Sequence, residues 1–409
     1  MITTTKDLHK PVNQELKAAF KVCKELEALC AEMEEIFPER EYLIRQLKYA
    51  LLTREHVMVH GDFGTGKSDL VHTFFNCFTD ATMFSIGFNK FMTESSIFGI
   101  PDPKKMREEG EIWYRRDGSI LNAHFAELDE ILDANSPLLR TLLGLLNERV
   151  FKRGRQLESA VLHTAIASTN GDPKAECQGD HTLDAVIDRF IFVCDVKYLD
   201  SDESRRKMYA KFLNGELPGI RIRYEDLLAA SAVVVSSCQI RDPEFIATYD
   251  QAIQAYREAV KGKQVVSDRR ACKLLQICEA EALLHGRYDV DVEDILAVKY
   301  GLCEGGNEEQ MAAFEDTVVL IVTKAKEEQA QNLDDVQLKL LEEYKQQLPT
   351  LTGQEDDGQL VQFKRDLHEL KNRIEAVKPK LESTKDIQAE ILAKTTSTQE
   401  AVETQLIEG

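Results

Sequence analysis

The chain has 409 residues, 43% hydrophobic and 30% charged, which is enough apolar material for the cores of two or three domains. Its formal net charge of −20 repels a phosphate backbone, so non-specific nucleic-acid binding is disfavoured wherever no local basic patch overrides it. No run of about 18 apolar residues exists, which excludes a membrane-spanning helix, and nine cysteines without a Cys-x-x-Cys pair argue against a disulfide framework or a zinc site.

The amino terminus has no apolar stretch behind its early lysines, so no secretory signal is expected and the chain reads as cytoplasmic. Residues 12–36 carry apolar positions at helical spacing and stop before Pro38, predicting one amphipathic helix. A second helix is predicted over 40–53, with Leu43, Ile44, Leu47 and Leu51 on its apolar face. The run His56-Val-Met-Val-His60 is a short strand entering a glycine-rich turn, and strand-like runs recur at 82–88, 120–128, 161–168 and 190–196. Helical patterns separate most of them, which predicts a three-layer α/β core built on a parallel sheet. From 203 to 303 the pattern is helical, predicting an all-α domain, and from about 307 it stays helical but becomes richer in charge. In 360–381 the residues Leu360, Phe363, Leu367, Leu370, Ile374, Val377 and Leu381 alternate spacings of three and four, as in a coiled-coil seam, and Pro379 predicts a kink or an end. The expected division is a helical lead over 1–36, an α/β core over 37–200, an α-helical lid over 201–305 and a helical module over 306–409.

Gly61, Asp62, Phe63, Gly64, Thr65, Gly66, Lys67 and Ser68 fit the G-x-x-x-x-G-K-[ST] phosphate loop, between a strand and a helical pattern through Phe78. Glycines let backbone amides wrap phosphates, and the helix N-terminus adds its positive dipole. Lys67 is expected to reach the β- and γ-phosphates of ATP and Ser68 to ligate Mg²⁺. The run His124-Phe-Ala-Glu-Leu-Asp-Glu130 is a largely apolar strand ending in two carboxylates, a Walker B candidate. Asp129 would hold the Mg²⁺ shell and Glu130 would orient and deprotonate the attacking water. Glu127, where an apolar residue is usual, either faces solvent or pairs with a basic partner. His56, His60, His72, His124 and His163 have no zinc-ligand spacing and read as structural.

The stretch from Asp129 to Gly154, with Ser168-Thr-Asn170, Asp188-Arg-Phe190 and Ser267-Asp-Arg-Arg270, resembles the RavA-like branch of the MoxR family of AAA+ ATPases over residues 30–305. That resemblance implies a P-loop AAA+ core with a helical lid, sensor 1 at Asn170, an arginine finger at Arg189 and sensor 2 at Arg269. Arg270, beside Arg269, keeps the last assignment open by one residue, and Asn170 equally suits a turn cap before Gly171-Asp172-Pro173. Residues 110–121 read as a hairpin with Asp117-Gly118 at its turn, and 148–157 as a second hairpin, like the clade's insertions. Trp113, Tyr114, Arg115, Arg116, Lys152, Arg153 and Arg155 are then candidates for gripping a substrate, or simply solvated hairpin residues. The resemblance further implies a homo-oligomer, a hexameric ring that remodels a protein partner with a von Willebrand factor A domain. A nucleic-acid-directed motor is the rival expectation, favoured by the arginines of the second hairpin and opposed by the overall charge.

Overall fold

The structure, a computed structural model, describes residues 13–110, 113–153, 156–173, 186–236, 240, 242–262, 264–348, 357–379 and 382–408. By its internal contacts the chain divides into two compact units, Met1–Val322 and Thr323–Gly409.

The first unit is built on a five-stranded parallel sheet with the order β3-β4-β7-β1-β8. β1 is His56–His60, β2 Phe78–Thr79, β3 Met83–Gly87, β4 Phe125–Asp129, β5 Val150–Arg153, β6 Gln156–Ser159, β7 Thr164–Thr169, β8 Phe190–Asp195 and β9 Ile222–Arg223. β1 is buried along its whole length between β7 and β8, its central Val57, Met58 and Val59 forming a continuous apolar run without alternation between His56 and His60. β2 and β9 form a separate two-stranded pair, so the largely helical region beyond β8 also contributes one short strand. The helix α1 (Asn13–Ile36) buries Val22, Leu26, Leu29 and Met33 and packs on the helix Tyr224–Ser236 of that region. α2 (Glu41–Thr53) ties the sheet to the helical layer. Its buried Gln46 amide donates to Val193 O of β8 at 3.0 Å and to Tyr300 O at 2.9 Å, and its Tyr42 hydroxyl donates to Lys299 O and Cys303 O.

The helix Ser136–Glu148 buries Leu138, Leu139, Leu142, Leu145 and Leu146, at i, i+1, i+4, i+7 and i+8 along one face. Asn135 caps its start by accepting from Leu138 N. Its C-terminus is closed by Arg149, a non-glycine residue at φ 52°. The Arg149 guanidinium donates to Leu162 O at 2.9 Å, His163 O at 3.1 Å and Arg54 O, joining three chain turns at the base of the sheet. Arg149→Ala is expected to cost about 3 kcal/mol, since charge-assisted bonds are lost and carbonyls are stranded. Urea unfolding measures this, and a loss of under about 1 kcal/mol would contradict it.

Two sequence expectations are corrected. Residues 110–121 do not form a hairpin, with Glu111 and Ile112 outside the described residues. Instead the segments flanking the helix Pro103–Glu109 pair, with an isolated antiparallel bridge between Pro101 and Tyr114 and an Asp102 N to Trp113 O bond of 2.6 Å. Asp102 caps that helix and Gly110 ends it in the left-handed region, so the helix itself serves as the connection. The predicted strand over 120–128 begins only at Phe125, because Ile120–Asn122 form a 3₁₀ turn that buries Ile120 and Leu121 in the core. The second hairpin is present as the antiparallel pair β5–β6.

The second unit holds the helix Leu320–Gln346 from Thr323 onward, with the helices Asp357–Ala376 and Glu382–Glu408. Leu360, Leu367, Leu370, Ile374 and Val377 of the predicted seam are buried against Leu341, Ile391 and Val402, while Leu381 lies outside the described residues. The middle helix ends at Ala376, ahead of Pro379, because the residues before a proline are driven out of helical geometry.

Candidate functional site

In a parallel sheet every strand delivers its C-terminal end to one edge, and that edge is where ligands bind in open α/β folds. Here it collects Gly61 after β1, Asp129 and Glu130 at the end of β4, Asn170 after β7 and Asp195 of β8. Gly61, at φ 134°, must be glycine on a second count: a Cβ there would meet Val196 O at 2.2 Å. Gly64 and Gly66 also sit at positive φ, and α3 (Lys67–Phe75) starts with no side chain capping its first turn. Its leading amides therefore remain to be met by an anion.

Lys67 Nζ donates to Gly61 O at 2.6 Å, Asp62 O at 3.0 Å and Asn170 Oδ1 at 3.2 Å. Burial lowers its pKa, opposed by the charges of Glu130, Asp129, Asp62 and Asp195. Glu130 sits at φ 54°, in the left-handed region, and its carboxylate accepts from Asn170 N at 3.3 Å. That strained turn aims the carboxylate back across the sheet edge. Burial raises the Glu130 pKa, opposed by the Asn170 amide, so the group is a stronger base than an ordinary carboxylate. Asp129 accepts from the Ser168 hydroxyl, which fixes its orientation. Ser68, exposed in the first turn of α3, offers a hydroxyl at the same edge. A hydroxyl and a carboxylate are hard oxygen donors of the kind Mg²⁺ takes alongside phosphate oxygens, so the residues present fit that ion. Among the described residues, no group of three or more His, Cys, Asp or Glu forms a metal cage by itself.

Two clefts flank the phosphate loop. One of about 500 Å³ is lined by Gly61, Asp62, Asn170, Asp195 and Glu304. The other, about 740 Å³ and mainly apolar, lies against Thr65 and Gly66 and is walled by Phe37, Met208, Tyr209, Phe212 and Leu217.

Arg189 and Arg269 lie elsewhere. Phe190 pairs with His56, at the opposite end of β1 from the phosphate loop. Roughly 13 Å of strand separates the two ends. There Asp188 accepts from Ser267 Oγ at 3.0 Å and lies 3.7 Å from the Arg189 guanidinium and 3.5 Å from that of Arg269. Burial and the Arg269 charge lower the Arg189 pKa, opposed by Asp188. Arg270 is buried and donates to Gly301 O at 3.0 Å and Ile191 O at 2.5 Å, a tie between the helical layer and β8. Arg269, with a side chain 43% exposed, shares a cleft of about 750 Å³ with Asp188 and Arg189.

The structure thus separates the sequence candidates into two clusters. Lys67, Asp129, Glu130 and Asn170 converge with the phosphate loop, and Arg189 and Arg269 stand together away from it. Glu127 is buried, accepts from Ser85 Oγ at 2.7 Å and pairs with His72 Nε2 of α3 at 2.9 Å, so it has a basic partner rather than solvent. The substrate-gripping candidates are largely engaged in packing: Tyr114 stacks edge-on against Phe151, and Arg116 bonds Leu121 O and Ser159 O and pairs with Glu158. Arg115 pairs with Asp102 and Trp113 lies under Lys105, while Lys152 is exposed. The side chains of Arg153 and Arg155 lie outside the described residues. Sequence reasoning missed Ser168, although it stands within the Ser-Thr-Asn run already singled out.

Residues 24–215 match the family model of the MoxR domain in the MoxR-vWA-beta-propeller ternary systems, and residues 246–317 match an AAA lid domain. Two uncharacterized proteins of Methanocaldococcus jannaschii are 26% and 27% identical over 251 and 249 residues, which is 61% and 60% of this chain. The aligned parts are 63% and 62% of those proteins, so the chain spans less than two thirds of the curated relatives' length. A solved structure from Cytophaga hutchinsonii, assigned as a candidate ATPase, superposes with a TM-score of 0.54 at 16% identity, covering 76% of this chain and 96% of that one. At that identity the likeness speaks for the fold.

Proposed function

We propose that this MoxR-family AAA+ ATPase hydrolyses ATP and uses the energy to remodel a protein partner. One observation carries the reading: Lys67, Asn170 and Glu130 meet by hydrogen bonds at the sheet edge, beside the Asp129 strand end. The loop Gly61–Ser68 takes the phosphates on its amides and Lys67, and the apolar cleft beside Thr65 and Gly66 takes the base. Ser68 and Asp129 would hold Mg²⁺, which when bound neutralises charge on the phosphates. Glu130 accepts the proton of the attacking water, and Asn170 orients that water.

Arg189 and Arg269 stand at the far end of β8 from their own loop, so they serve a neighbouring copy's site. That reading requires a homo-oligomer with head-to-tail contacts that close into a ring, for which we propose a hexamer. Arg269 rather than Arg270 is assigned as sensor 2, because Arg270 is committed to two buried carbonyls. We keep the domain division 37–200, 201–305 and 306–409 for the core, lid and C-terminal module, and the RavA-like placement that rests on the motif residues. The matched family model names vWA and beta-propeller proteins beside its MoxR domain, which supports a von Willebrand factor A-domain partner. No described helix is long and apolar enough to cross a membrane, and the cytoplasmic location read from the cysteine pattern is kept as part of the proposal. The −20 charge weighs against the rival nucleic-acid motor.

The test is phosphate release from ATP in the presence of Mg²⁺. Release that depends on Mg²⁺ and is lost in Lys67→Ala is expected, and a wild type no faster than that variant would sink the proposal.

A further inference from the structure

Three side chains outside the phosphate-binding motif hold the loop's own carbonyls or the segment that braces it. Tyr198, just past β8, donates its hydroxyl to Phe63 O at 2.8 Å. Arg40, between α1 and α2, donates from one nitrogen to both Thr65 O at 3.2 Å and Lys197 O at 2.8 Å, and from another to Glu39 O at 2.7 Å. Glu39, at φ 58°, completes the brace: its carboxylate accepts from Asp200 N at 2.8 Å and Ser201 N at 3.0 Å, where the helix Asp202–Asn214 begins. Val196 N donates to His60 O at 2.8 Å, and its carbonyl fills the space a Gly61 Cβ would need. The segment 196–201 is thus pinned at both ends, and it pins the loop in turn.

The direction of these bonds matters more than their number. In a trans peptide the carbonyl of one residue and the N–H of the next point opposite ways. Holding Phe63 O outward therefore turns the Gly64 N–H inward, and holding Thr65 O outward does the same for Gly66. Both glycines sit at positive φ with no Cβ to limit them, at 71° and 81°. An unheld glycine-rich loop has the most backbone freedom to lose when it wraps an anion.

We propose that Tyr198 and Arg40 are positioning residues that pre-set the phosphate loop, aiming its amides at the nucleotide before it arrives. Their contacts with the loop are to its carbonyls, and Arg40 also lines the apolar cleft beside the loop, so they act through affinity and not through the chemical step. This inference rests on the nucleotide-binding reading of the same loop. Pre-organisation lowers the ordering cost of binding, so its loss raises dissociation constants.

Tyr198→Phe is the cleanest probe, because the residue is 60% exposed and only a hydroxyl is removed. In the full chain, titration with ADP is expected to give a dissociation constant about two- to tenfold higher than wild type, the worth of one ordinary hydrogen bond. The KM for ATP should rise in parallel, with kcat within about twofold and an unchanged melting temperature. Arg40→Lys, whose ammonium lacks the guanidinium's planar fork, should shift ADP affinity the same way. ADP binding equal to wild type in both variants would overturn the inference, as would a fall in kcat at unchanged ADP affinity. A wild type that binds no ADP would overturn the nucleotide reading itself, and this inference with it.

Discussion

Glu130→Gln is expected to bind ATP as the wild type does and to hydrolyse it at least about a hundredfold more slowly, the usual worth of a positioned general base. The amide is nearly isosteric with the carboxylate and leaves the Asn170 N contact an oxygen to donate to, so the turn at φ 54° and the bond to β7 are retained. What is lost is the proton acceptor. Lys67→Ala tests the other half of the site. It removes the cation that bonds both the loop and Asn170, so nucleotide binding itself is expected to fail. The pair separates the roles: ATP retained without turnover in the first, no ATP held in the second. Normal hydrolysis by Glu130→Gln would remove Glu130 from the chemistry, and wild-type nucleotide affinity in Lys67→Ala would remove the lysine from the phosphate site.

How far such a site is legible in sequence depends on whether its parts are local. The phosphate loop is written in glycine spacing, because the backbone at positions 61, 64 and 66 lies at positive φ, which glycine adopts most readily. The β4 strand and its terminal carboxylates are equally local. Glu127 was visible as an anomaly in that strand, but its partners Ser85 and His72 lie on other elements, so no spacing rule could supply them. The adjacent arginines 269 and 270 are chemically identical in the sequence. Only the packing of their helix sends one guanidinium to Gly301 and Ile191 carbonyls and leaves the other beside Asp188.

The false hairpin over 110–121 shows the reverse error. Asp117-Gly118 drew attention as a turn, while the helix signals of Asp102, Pro103 and Gly110 stood just upstream and were decisive. Tyr198 and Arg40 are illegible in the sequence for another reason. They bind backbone carbonyls, which every residue offers, so such contacts leave no motif.

The largest effect is expected at Arg189. An arginine finger is worth about a thousandfold or more in turnover, so Arg189→Ala should be nearly inactive on its own. On the proposed reading the defect belongs to the neighbour, because Arg189 stands beside Asp188 and Arg269 at the opposite end of the sheet from its own Lys67. An Arg189→Ala subunit therefore keeps a complete Lys67, Asp129 and Glu130 site. A Lys67→Ala subunit keeps a complete finger. In an equal mixture with head-to-tail contacts, roughly a quarter of junctions place the intact site against the intact finger. ATPase activity should therefore return in the mixture while each variant alone stays near zero. Arg269→Ala, mixed with Lys67→Ala, is expected to recover in the same way, because it shares Asp188 with Arg189. A sensor 2 arginine acting on its own subunit's site would give no such recovery. Mixtures shown to co-assemble that remain inactive for Arg189 would mean it does not act across the junction, and the inter-subunit active site would fall with it.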